Sequence, residues 1–565
     1  MTWQVNWQKW SVASKDDVAL QHEMTELSDE KMKREHFYRY LAFGTGGMRG
    51  EIGCGTNRIN KYMIRWVASG VAAHIVEQGC QADGVAIAYD SRHFSAEFAL
   101  EAARVLGAAG IKVYLSDTLR PTPELSFMVR KWGTAAGIVI TASHNPAEYN
   151  GFKVYGADGC QITLDVADRI TAYLKRISDL FAIPVVEEAA LIKTGLLVQI
   201  GDEADIAYLE QVRAVTQNKE LTKMHGNKLK IVYTALHGTG GPLVTQSLAQ
   251  AGFTNVSVVA EQSIPDGAFP TVTSPNPEDH AAFRMAIEAS DNADILMATD
   301  PDADRIGVAV KNEQGTYQIL TGNQLGALLL HYLVTEKKIP ANSALIKTIV
   351  TSNLGEKIAQ KYGVKIYNTL TGFKFIGEKI AEWEKSGEAT FLFGYEESYG
   401  YLVEPFVRDK DAIQAALLTA EVALAFQLQG KTLYEGLQTI YNEFGYHEES
   451  LHTITAKGEE GIARIQAIMQ TMRKKTIDGI TSKEDYQTGV QTNYQTDTTQ
   501  KITLPKSDVL KFHLADGSWF CIRPSGTEPK CKIYFSCAGD TAKEARGRLQ
   551  NLEKQVLVEI ENIEL

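Results

Sequence analysis

The chain has 565 residues, which is beyond the size at which a single hydrophobic core stops growing, so we expect several domains. Its 57 basic and 69 acidic residues give a net charge of −12, which argues against a general affinity for nucleic acid or for an anionic membrane surface. The six cysteines are scattered without a CxxC pair, which indicates neither a zinc site nor a disulfide framework and favours a reducing cytoplasm.

Two segments were candidates for membrane targeting, and neither has the required pattern. Residues 1–15 lack the basic start, apolar middle and small-residue cleavage site of a signal peptide. The longest apolar stretch, residues 325–334, contains His331 and Tyr332 and is too short to span a bilayer. We therefore expect a soluble, cytoplasmic protein.

Hydrophobic periodicity divides the chain into an N-terminal extension and several α/β units. Residues 1–36 are charged, carry tryptophans at roughly helical spacing and predict a helical extension packed on the first domain. One unit then occurs three times, starting near Val85, Leu229 and Ala344. It consists of a strand, a polar or Gly-rich loop, an amphipathic helix ended by glycine and a second strand. Each copy predicts a βαβ crossover, so we expect three similar α/β domains with mixed sheets.

The pattern changes after Tyr446. A Thr/Gln/Asn-rich stretch near residues 491–500 precedes hairpin-like strands around Asp516 and Gly517 and a helix from about Thr541. We interpret this region as a fourth, C-terminal α+β domain. The predicted domain limits are residues 1–205, 206–313, 314–445 and 446–565.

The first domain contributes two candidate segments. Gly44-Thr-Gly-Gly-Met-Arg-Gly50 lacks the GxGxxG spacing and the preceding strand of a dinucleotide site, so Arg49 is its residue of interest. In Gly137-Ile-Val-Ile-Thr-Ala-Ser-His-Asn-Pro146 an apolar strand runs into a polar turn and presents Ser143 beside His144, as a nucleophile is presented on a rigid support. The alternative is a serine that only caps the turn, and the lack of a GxSxG elbow argues against a hydrolase triad.

The second domain contributes an acidic cluster. An apolar strand ends in Asp300, Asp302 and Asp304, whose carboxylates repel one another unless a cation neutralises them. Hard oxygen ligands select Mg²⁺, Mn²⁺ or Ca²⁺. An EF-hand would require glycine and glutamate where this chain has Arg305 and Lys311. A solvated acidic loop and an aspartyl-phosphate phosphatase are the alternatives, and the latter would use an aspartate instead of a serine as the phosphoryl acceptor.

The third and fourth domains each contribute a loop. Phe393-Gly-Tyr-Glu-Glu-Ser-Tyr-Gly400 brings together Glu396, Glu397 and Ser398, which suit the binding of sugar hydroxyls. In Arg523-Pro-Ser-Gly-Thr-Glu-Pro-Lys530 a guanidinium fork, two hydroxyls and a glycine that lets backbone N–H groups approach an anion outline a phosphate pocket. An ordinary Pro/Gly hairpin is the alternative for the second loop.

Together these segments resemble the motifs of the α-D-phosphohexomutase family, in the family's order. The segments similar to its phosphoserine, metal, sugar and phosphate loops are Thr141-Ala-Ser-His-Asn-Pro146, Asp300-Pro-Asp-Ala-Asp-Arg305, Tyr395-Glu-Glu-Ser398 and Arg523-Pro-Ser-Gly-Thr527. The resemblance covers all four predicted domains and implies that they surround a central cleft to which each contributes one loop.

The resemblance also implies the roles of individual residues. It implies that Mg²⁺ is held by the three aspartates and by an oxygen of the phosphate on Ser143. Arg49, Lys153 and Arg305 match basic residues near the family's transferring phosphate, and His144 and Lys153 are both candidates for moving the proton of the attacking hydroxyl. The residues that match substrate-side positions are Thr371, Gly372, Lys374, Glu396, Ser398, Lys410, Arg523, Ser525, Gly526 and Thr527.

The activity implied is the interconversion of glucose 1-phosphate and glucose 6-phosphate, with hexose 1,6-bisphosphate as intermediate and activator. Lys374 resembles the glucose branch, and Phe373 and Gly400 replace histidines of the dual glucose/mannose enzymes. The alternatives are a phosphomannomutase, a phosphopentomutase, a hexose-bisphosphate synthase, a metal-dependent sugar phosphatase and a non-catalytic sugar-phosphate sensor. We expect a small sugar phosphate as partner, no nucleic acid and no membrane, and a monomer or weak homo-oligomer.

Overall fold

The computed structural model describes residues 2–44, 46–337, 339–455, 458–475, 477–525 and 530–563. Gly526 and Thr527, which were predicted to contact phosphate, lie outside the described residues. Within the described residues no single helix is long and apolar enough to cross a membrane, whereas the pair 412–428 and 433–444, bent by 84°, passes the same length and composition test when taken together.

Three short helices precede the first sheet, namely α1 (Trp3–Ala13), α2 (Val18–Glu26) and α3 (Glu30–Phe37). The side chains of Asp17 and Asp29 accept backbone N–H bonds and so cap α2 and α3. Trp10 packs edge-on against Phe37 and Tyr62, with ring centroids 5.7 and 5.5 Å apart. These helices therefore share the hydrophobic core of the first sheet.

The first sheet and its helices comprise β1 (Gly47–Glu51), α4 (Lys61–Gln78), β2 (Val85–Tyr89), α5 (Ser95–Ala108), β3 (Val113–Ser116), α6 (Thr122–Trp132), β4 (Ala136–Ile140), β5 (Tyr149–Gly156), α7 (Leu164–Leu174), α8 (Glu188–Thr194) and β6 (Leu197–Ile200). The strand order is β1-β5-β4-β2-β3-β6. β2 is parallel to β3 and β4, whereas β5 is antiparallel to β1 and β4, so the sheet is mixed.

The second sheet and its helices comprise α9 (Asp202–Val212), α10 (Lys219–His225), β7 (Ile231–Thr234), α11 (Gly241–Ala251), β8 (Val256–Val258), α12 (Arg284–Glu288), β9 (Ile295–Thr299), β10 (Ile306–Lys311) and β11 (Tyr317–Ile319). The third set comprises α13 (Gly322–Glu336), β12 (Ser343–Thr348), α14 (Leu354–Lys361), β13 (Lys365–Thr369), α15 (Phe373–Ser386), β14 (Thr390–Glu396), β15 (Gly400–Leu402), α16 (Ala412–Leu428) and α17 (Leu433–Phe444). Their strand orders are β11-β10-β9-β7-β8 and β13-β12-β14-β15.

The same four-strand arrangement occurs in all three sheets. The four neighbouring strands are β5-β4-β2-β3 in the first sheet, β10-β9-β7-β8 in the second and β15-β14-β12-β13 in the third. In each set three strands are parallel and one is antiparallel. The connection to the antiparallel strand carries the Ser143 loop, the Asp300–Asp304 loop and the Glu396 loop, respectively. Each of these loops has one non-glycine residue with positive φ, namely Ser143 (52°), Ala303 (48°) and Tyr399 (64°).

The fourth domain differs, as predicted, because its sheet is antiparallel throughout. It comprises β16 (Tyr446–Thr455), α18 (Gly458–Lys474), β17 (Ile480–Asp485), β18 (Val490–Asn493), β19 (Thr498–Lys501), β20 (Leu510–Leu514), β21 (Trp519–Pro524), β22 (Lys530–Gly539) and α19 (Ala542–Glu561). The strand order is β16-β22-β21-β20-β17-β18-β19. The predicted class of three mixed-sheet α/β domains and one α+β domain is confirmed, and the polar stretch near residues 491–500 forms the β18–β19 hairpin.

Candidate active site

Ser143 lies at the start of the connection from β4 to β5, where the chain leaves a fully buried strand. Its φ of 52° turns the backbone sharply, and its N–H donates a 2.8 Å bond to Thr141 Oγ1. Its hydroxyl donates a 2.6 Å hydrogen bond to Asp300 Oδ2 and lies 3.1 Å from His144 Nδ1. The structure thus brings the predicted nucleophile to the predicted metal loop.

The three aspartates form a buried cluster. Asp300, Asp302 and Asp304 each offer an oxygen within 4.8 Å of the others. Oδ1 of Asp302 and Oδ1 of Asp304 are buried and have no hydrogen-bond partner among the described residues. Hard carboxylate oxygens with free lone pairs, held close together, are the donor set that a divalent cation such as Mg²⁺ takes. The residues present therefore fit a metal ion.

Two lysines from other domains reach the same carboxylates. Lys153 on β5 places Nζ 2.8 Å from Asp302 Oδ2 and 3.3 Å from Asp304 Oδ2. Lys410 places Nζ 3.2 Å from the same Asp304 oxygen. The first three domains meet at this point, because each contributes a charged side chain to one contact network.

Burial and charge change the proton affinities of this cluster. Burial, reinforced by the neighbouring carboxylates, raises the pKa of Asp300 well above its ordinary value. Burial would also raise the pKa of Asp302, but the Lys153 ammonium outweighs it and lowers that pKa. Burial acts to lower the pKa of Lys153, yet the charges of Asp302 and Asp304 raise it overall. Lys153 is therefore held as a cation.

His144 differs from the lysines. It is half-buried, and desolvation followed by the charges of Arg305 and Arg49 holds its pKa well below the ordinary value. Its imidazole is therefore neutral near pH 7, with Nδ1 facing Ser143 Oγ at 3.1 Å. The imidazole therefore lies within hydrogen-bond reach of the serine hydroxyl.

Two arginines flank the cluster. Arg305 donates to Glu278 Oε1 at 2.7 Å, and Arg49 on β1 donates to Asn145 Oδ1 at 2.8 Å, next to the serine. Burial acts to lower the pKa of Arg305, but the carboxylate of Glu278 and those of the cluster raise it overall. The charges of Arg49 and Arg305 both act on His144, the residue next to Ser143, and their role at a transferring phosphate stays a prediction.

The predicted sugar-side residues lie on two loops of the third domain. Glu396, at the end of β14, accepts a 2.8 Å bond from the backbone N–H of Gly372 through Oε1. Thr371 Oγ1 is buried without a hydrogen-bond partner among the described residues. Lys374, on the first turn of α15, is mostly buried, and its Nζ lies 5.0 Å from the ring centroid of Phe375. Ser398 lies in the turn between β14 and β15.

The fourth domain contributes a basic pair on neighbouring strands. Arg523 on β21 faces Lys532 on β22, and Arg523 Nη1 donates to Tyr534 OH at 3.4 Å. Burial lowers the pKa of Lys532, and the charges of Arg305 and Arg523 lower it further. Since Arg305 belongs to the second domain, the basic pair lies within electrostatic range of the second domain's metal loop. Ser525 follows Arg523 at the end of β21.

Sequence reasoning missed Lys532 and Glu278. The alternation Lys530, Cys531, Lys532 on a strand was a signal for Lys532, because alternate residues of a strand share one face. Glu278 lies in an irregular segment far from the recognised motifs, and its sequence context contains no comparable signal. Only folding brings it to Arg305.

Models of one protein family match four successive parts of the chain. The four family domains described as phosphoglucomutase/phosphomannomutase alpha/beta/alpha domains I, II and III and the C-terminal domain match residues 40–180, 207–315, 321–444 and 455–554. A protein named phosphoglucomutase from Staphylococcus epidermidis is 40% identical over 507 residues, which cover 88% of this chain and 91% of that protein. Its namesake from Staphylococcus aureus strain USA300 is 40% identical over 530 residues, which cover 92% of this chain and 94% of that protein.

Solved structures resemble the fold. The phosphoprotein parafusin, titled a phosphoglucomutase, from Paramecium in its open form superposes with a TM-score of 0.71 at 19% identity and covers 93% of this chain and 95% of its own. A protein titled putative phosphomannomutase from Thermus thermophilus superposes with a TM-score of 0.68 at 22% identity and covers 92% of this chain and 99% of its own. At these identities the likeness supports the four-domain fold.

Proposed function

The chain belongs to the phosphoglucomutase/phosphomannomutase family, and we propose that it interconverts glucose 1-phosphate and glucose 6-phosphate through a phosphoserine at Ser143. Membership makes it an isomerase that acts by phosphoryl transfer within a sugar phosphate. The observation that carries the proposal is the 2.6 Å contact between Ser143 Oγ and Asp300 Oδ2, because it couples the acceptor to the acidic cluster. The 40% identity to proteins named phosphoglucomutase supports glucose as the sugar.

The proposed metal is Mg²⁺, with Asp300, Asp302 and Asp304 as its protein ligands and an oxygen of the Ser143 phosphate as a further ligand. The buried Oδ1 atoms of Asp302 and Asp304 support this assignment. Bound there, Mg²⁺ neutralises charge on the phosphoryl oxygens and so favours transfer.

The basic residues complete the charge around the transferring phosphoryl group. Lys153 contacts Asp302, Arg49 contacts Asn145 and Arg305 contacts Glu278. From these positions the three cations are proposed to stabilise the charge spread over the equatorial oxygens of the phosphoryl group. Because phosphoryl transfer has a loose transition state, most of the catalysis comes from alignment and from such preorganised cations. His144 and Lys153 remain candidates for moving the proton, and the 3.1 Å distance from His144 Nδ1 to Ser143 Oγ favours His144.

The substrate is proposed to bind at both ends. Arg523 and Ser525, with Gly526 and Thr527 on the same loop, hold the phosphate that is not being transferred, and Lys410 contributes a charge from the third domain. Among the sugar-side residues, Glu396 accepts hydrogen bonds from sugar hydroxyls. The remaining proposed contacts are Ser398, Thr371, Gly372 and Lys374.

The reaction has two balanced halves. First the P–O bond to Ser143 Oγ breaks, a P–O bond to the free sugar hydroxyl forms, and the hydroxyl proton passes to the base. Hexose 1,6-bisphosphate results and acts as the intermediate and, when added, as the activator. After it turns end for end, its other phosphoryl group returns to Ser143, and the proton returns to the sugar oxygen.

We propose a cytoplasmic monomer or weak homo-oligomer without nucleic-acid or membrane partners. The domain limits at residues 205, 313 and 445 belong to the same proposal. The second sheet extends past residue 313, because its edge strand β11 (Tyr317–Ile319) pairs with β10, and residue 205 falls within α9 (Asp202–Val212).

The test compares glucose, mannose, N-acetylglucosamine and ribose 1-phosphates in one coupled assay and measures inorganic phosphate in parallel. We expect glucose 1-phosphate to give the highest kcat/KM and phosphate release to be negligible beside isomerisation. Preference for ribose or mannose would identify a different branch of the family, accumulation of bisphosphate would identify a bisphosphate synthase, and phosphate release at the isomerisation rate would identify a phosphatase.

A matched pair of serine variants tests the nucleophile. Ser143→Ala should lower kcat by about 10⁴-fold or more and abolish phosphorylation by glucose 1,6-bisphosphate. The exposed Ser263→Ala controls for the loss of a hydroxyl. Near-native turnover by Ser143→Ala would overturn the phosphoserine mechanism, and an inactive wild-type chain would indicate a sugar-phosphate sensor.

A further inference from the structure

Arg92 is buried beneath the serine loop and binds the loop through its backbone. It lies between β2 and α5, and its side chain is 0% exposed. Its guanidinium donates to four carbonyl oxygens, those of Ser143 at 2.5 Å, Pro146 at 2.8 Å, Tyr149 at 2.9 Å and Asn145. One planar cation therefore binds three of the four carbonyl groups from Ser143 to Pro146, together with that of Tyr149 at the start of β5.

The guanidinium is itself held from both sides. Asp90 Oδ2 lies 3.4 Å from Arg92 Nε, and Asp90 Oδ1 accepts the backbone N–H of Arg92 at 3.0 Å. On the other side the ring centroid of Phe269, in the loop that follows β8, lies 4.9 Å from the guanidinium carbon. The second domain thus helps to hold Arg92.

Arg92 does not reach the carbonyl oxygen of His144, which lies between those of Ser143 and Asn145. The loop that follows β8, which carries Phe269, binds this carbonyl. Ser274 Oγ donates to the carbonyl oxygen of His144 at 2.7 Å. The carbonyls of four consecutive residues in the turn are therefore all engaged by donors. Free carbonyl oxygens near the serine would repel a phosphoryl group, and the positive φ of Ser143 needs support from its surroundings.

We propose that Arg92 is a positioning residue for phosphoryl transfer. It holds the backbone of the Ser143 loop so that Ser143 Oγ faces Asp300. It also keeps the carbonyl oxygens that it binds paired with a cation. Arg92 touches the backbone of the nucleophile and acts through it. This inference rests on the proposed function of Ser143 as the phosphoryl acceptor and extends it to a residue of the β2–α5 connection.

Arg92→Lys tests the inference, because a lysine keeps the charge but cannot donate to four carbonyls at once. We expect kcat to fall by about 100-fold, as expected for a misplaced nucleophile, with KM for the sugar phosphate within about threefold of wild type. Arg104→Lys is the matched control, since Arg104 also donates to a backbone carbonyl, that of Val186, away from the site. A folded Arg92→Lys enzyme with wild-type kcat, or an equal loss in Arg104→Lys, would overturn the inference.

Two milder variants keep the test valid if Arg92→Lys does not fold. Phe269→Leu removes the ring that faces the guanidinium, and Ser274→Ala removes the donor to His144. Each should lower kcat by about threefold to tenfold at unchanged KM. A wild-type kcat in both variants would contradict a positioning role. A fall in kcat that is fully explained by a lower thermal midpoint would contradict it too. The wild-type enzyme, assayed alongside with glucose 1-phosphate, tests the proposed function separately.

Discussion

Ser143 Oγ donates a 2.6 Å hydrogen bond to Asp300 Oδ2 across a separation of 157 residues. The two residues occupy equivalent loops of two sheets that share a four-strand arrangement. The contact therefore depends on how the first two domains pack, and the chemistry proposed here depends on that packing.

Asp302→Asn should weaken metal binding. The buried Oδ1 of Asp302 has no hydrogen-bond partner among the described residues, and an amide of the same shape removes the charge that attracts a cation. We expect the Mg²⁺ concentration for half-maximal activity to rise by about tenfold or more. Asp291→Asn removes an exposed aspartate as the control, and a Mg²⁺ requirement unchanged in Asp302→Asn would count against the metal site.

Gly238→Ala should displace the metal loop. A Cβ at Gly238 would lie 2.4 Å from Pro301 Cα, so the loop between Asp300 and Asp302 must move. Overpacking of this kind costs about 1–3 kcal/mol, and we expect a lower thermal midpoint together with a higher Mg²⁺ requirement. At Gly241 the nearest atom to a new Cβ is 3.9 Å away, so Gly241→Ala is the control. Equal effects of the two substitutions would show that the contact with Pro301 is not the cause.

Tyr155→Phe should loosen Lys410. Tyr155 OH donates to Asp409 Oδ2 at 2.7 Å, and Asp409 Oδ1 accepts from Lys410 Nζ at 3.1 Å. Removing a donor from a buried carboxylate costs about 1–3 kcal/mol of unfolding free energy. We expect a lower thermal midpoint and a raised KM for the sugar phosphate, measured against the exposed Tyr38→Phe. An unchanged KM would separate Tyr155 from substrate binding.

Glu449→Gln should stabilise the protein at pH 8. Burial raises the pKa of Glu449 on β16 to about 7, although the side chains of Ser352 and Asn323 donate hydrogen bonds to it. Between about pH 4.5 and pH 7 the folded chain therefore keeps a proton that the unfolded chain has released, so this residue lowers stability as the pH rises. Above pH 7 the penalty is complete, and glutamine removes it.

The measurement is the difference in thermal midpoint between Glu449→Gln and wild type at pH 5 and pH 8. We expect the difference to be small at pH 5 and positive at pH 8. Glu448→Gln, one residue earlier on the opposite face of the strand, controls for losing a carboxylate that is not buried. A difference independent of pH would mean that Glu449 is not protonated in the fold.

Local sequence patterns predicted much of the fold. Strands near Val85, Leu229 and Ala344 with glycine-ended helices predicted the parallel pairs, because burial on both sheet faces requires continuous apolar runs. The sequence did not predict that the three sheets match strand by strand. The repeat lies in strand order and connection geometry, which different side chains satisfy equally well.

The four-domain class follows from the periodicity of strands and glycine-ended helices along the chain. The candidate loops were also recognisable, because a serine at a strand end, three alternating aspartates and an Arg-Ser-Thr loop are local patterns with local physical causes. Which charges meet depends on the packing of the domains. Lys153, Lys410, Glu278, Lys532 and Arg92 acquire their partners through packing between elements far apart in the chain. Electrostatic contacts depend on distance in space, and that distance is set by the cores that join the domains.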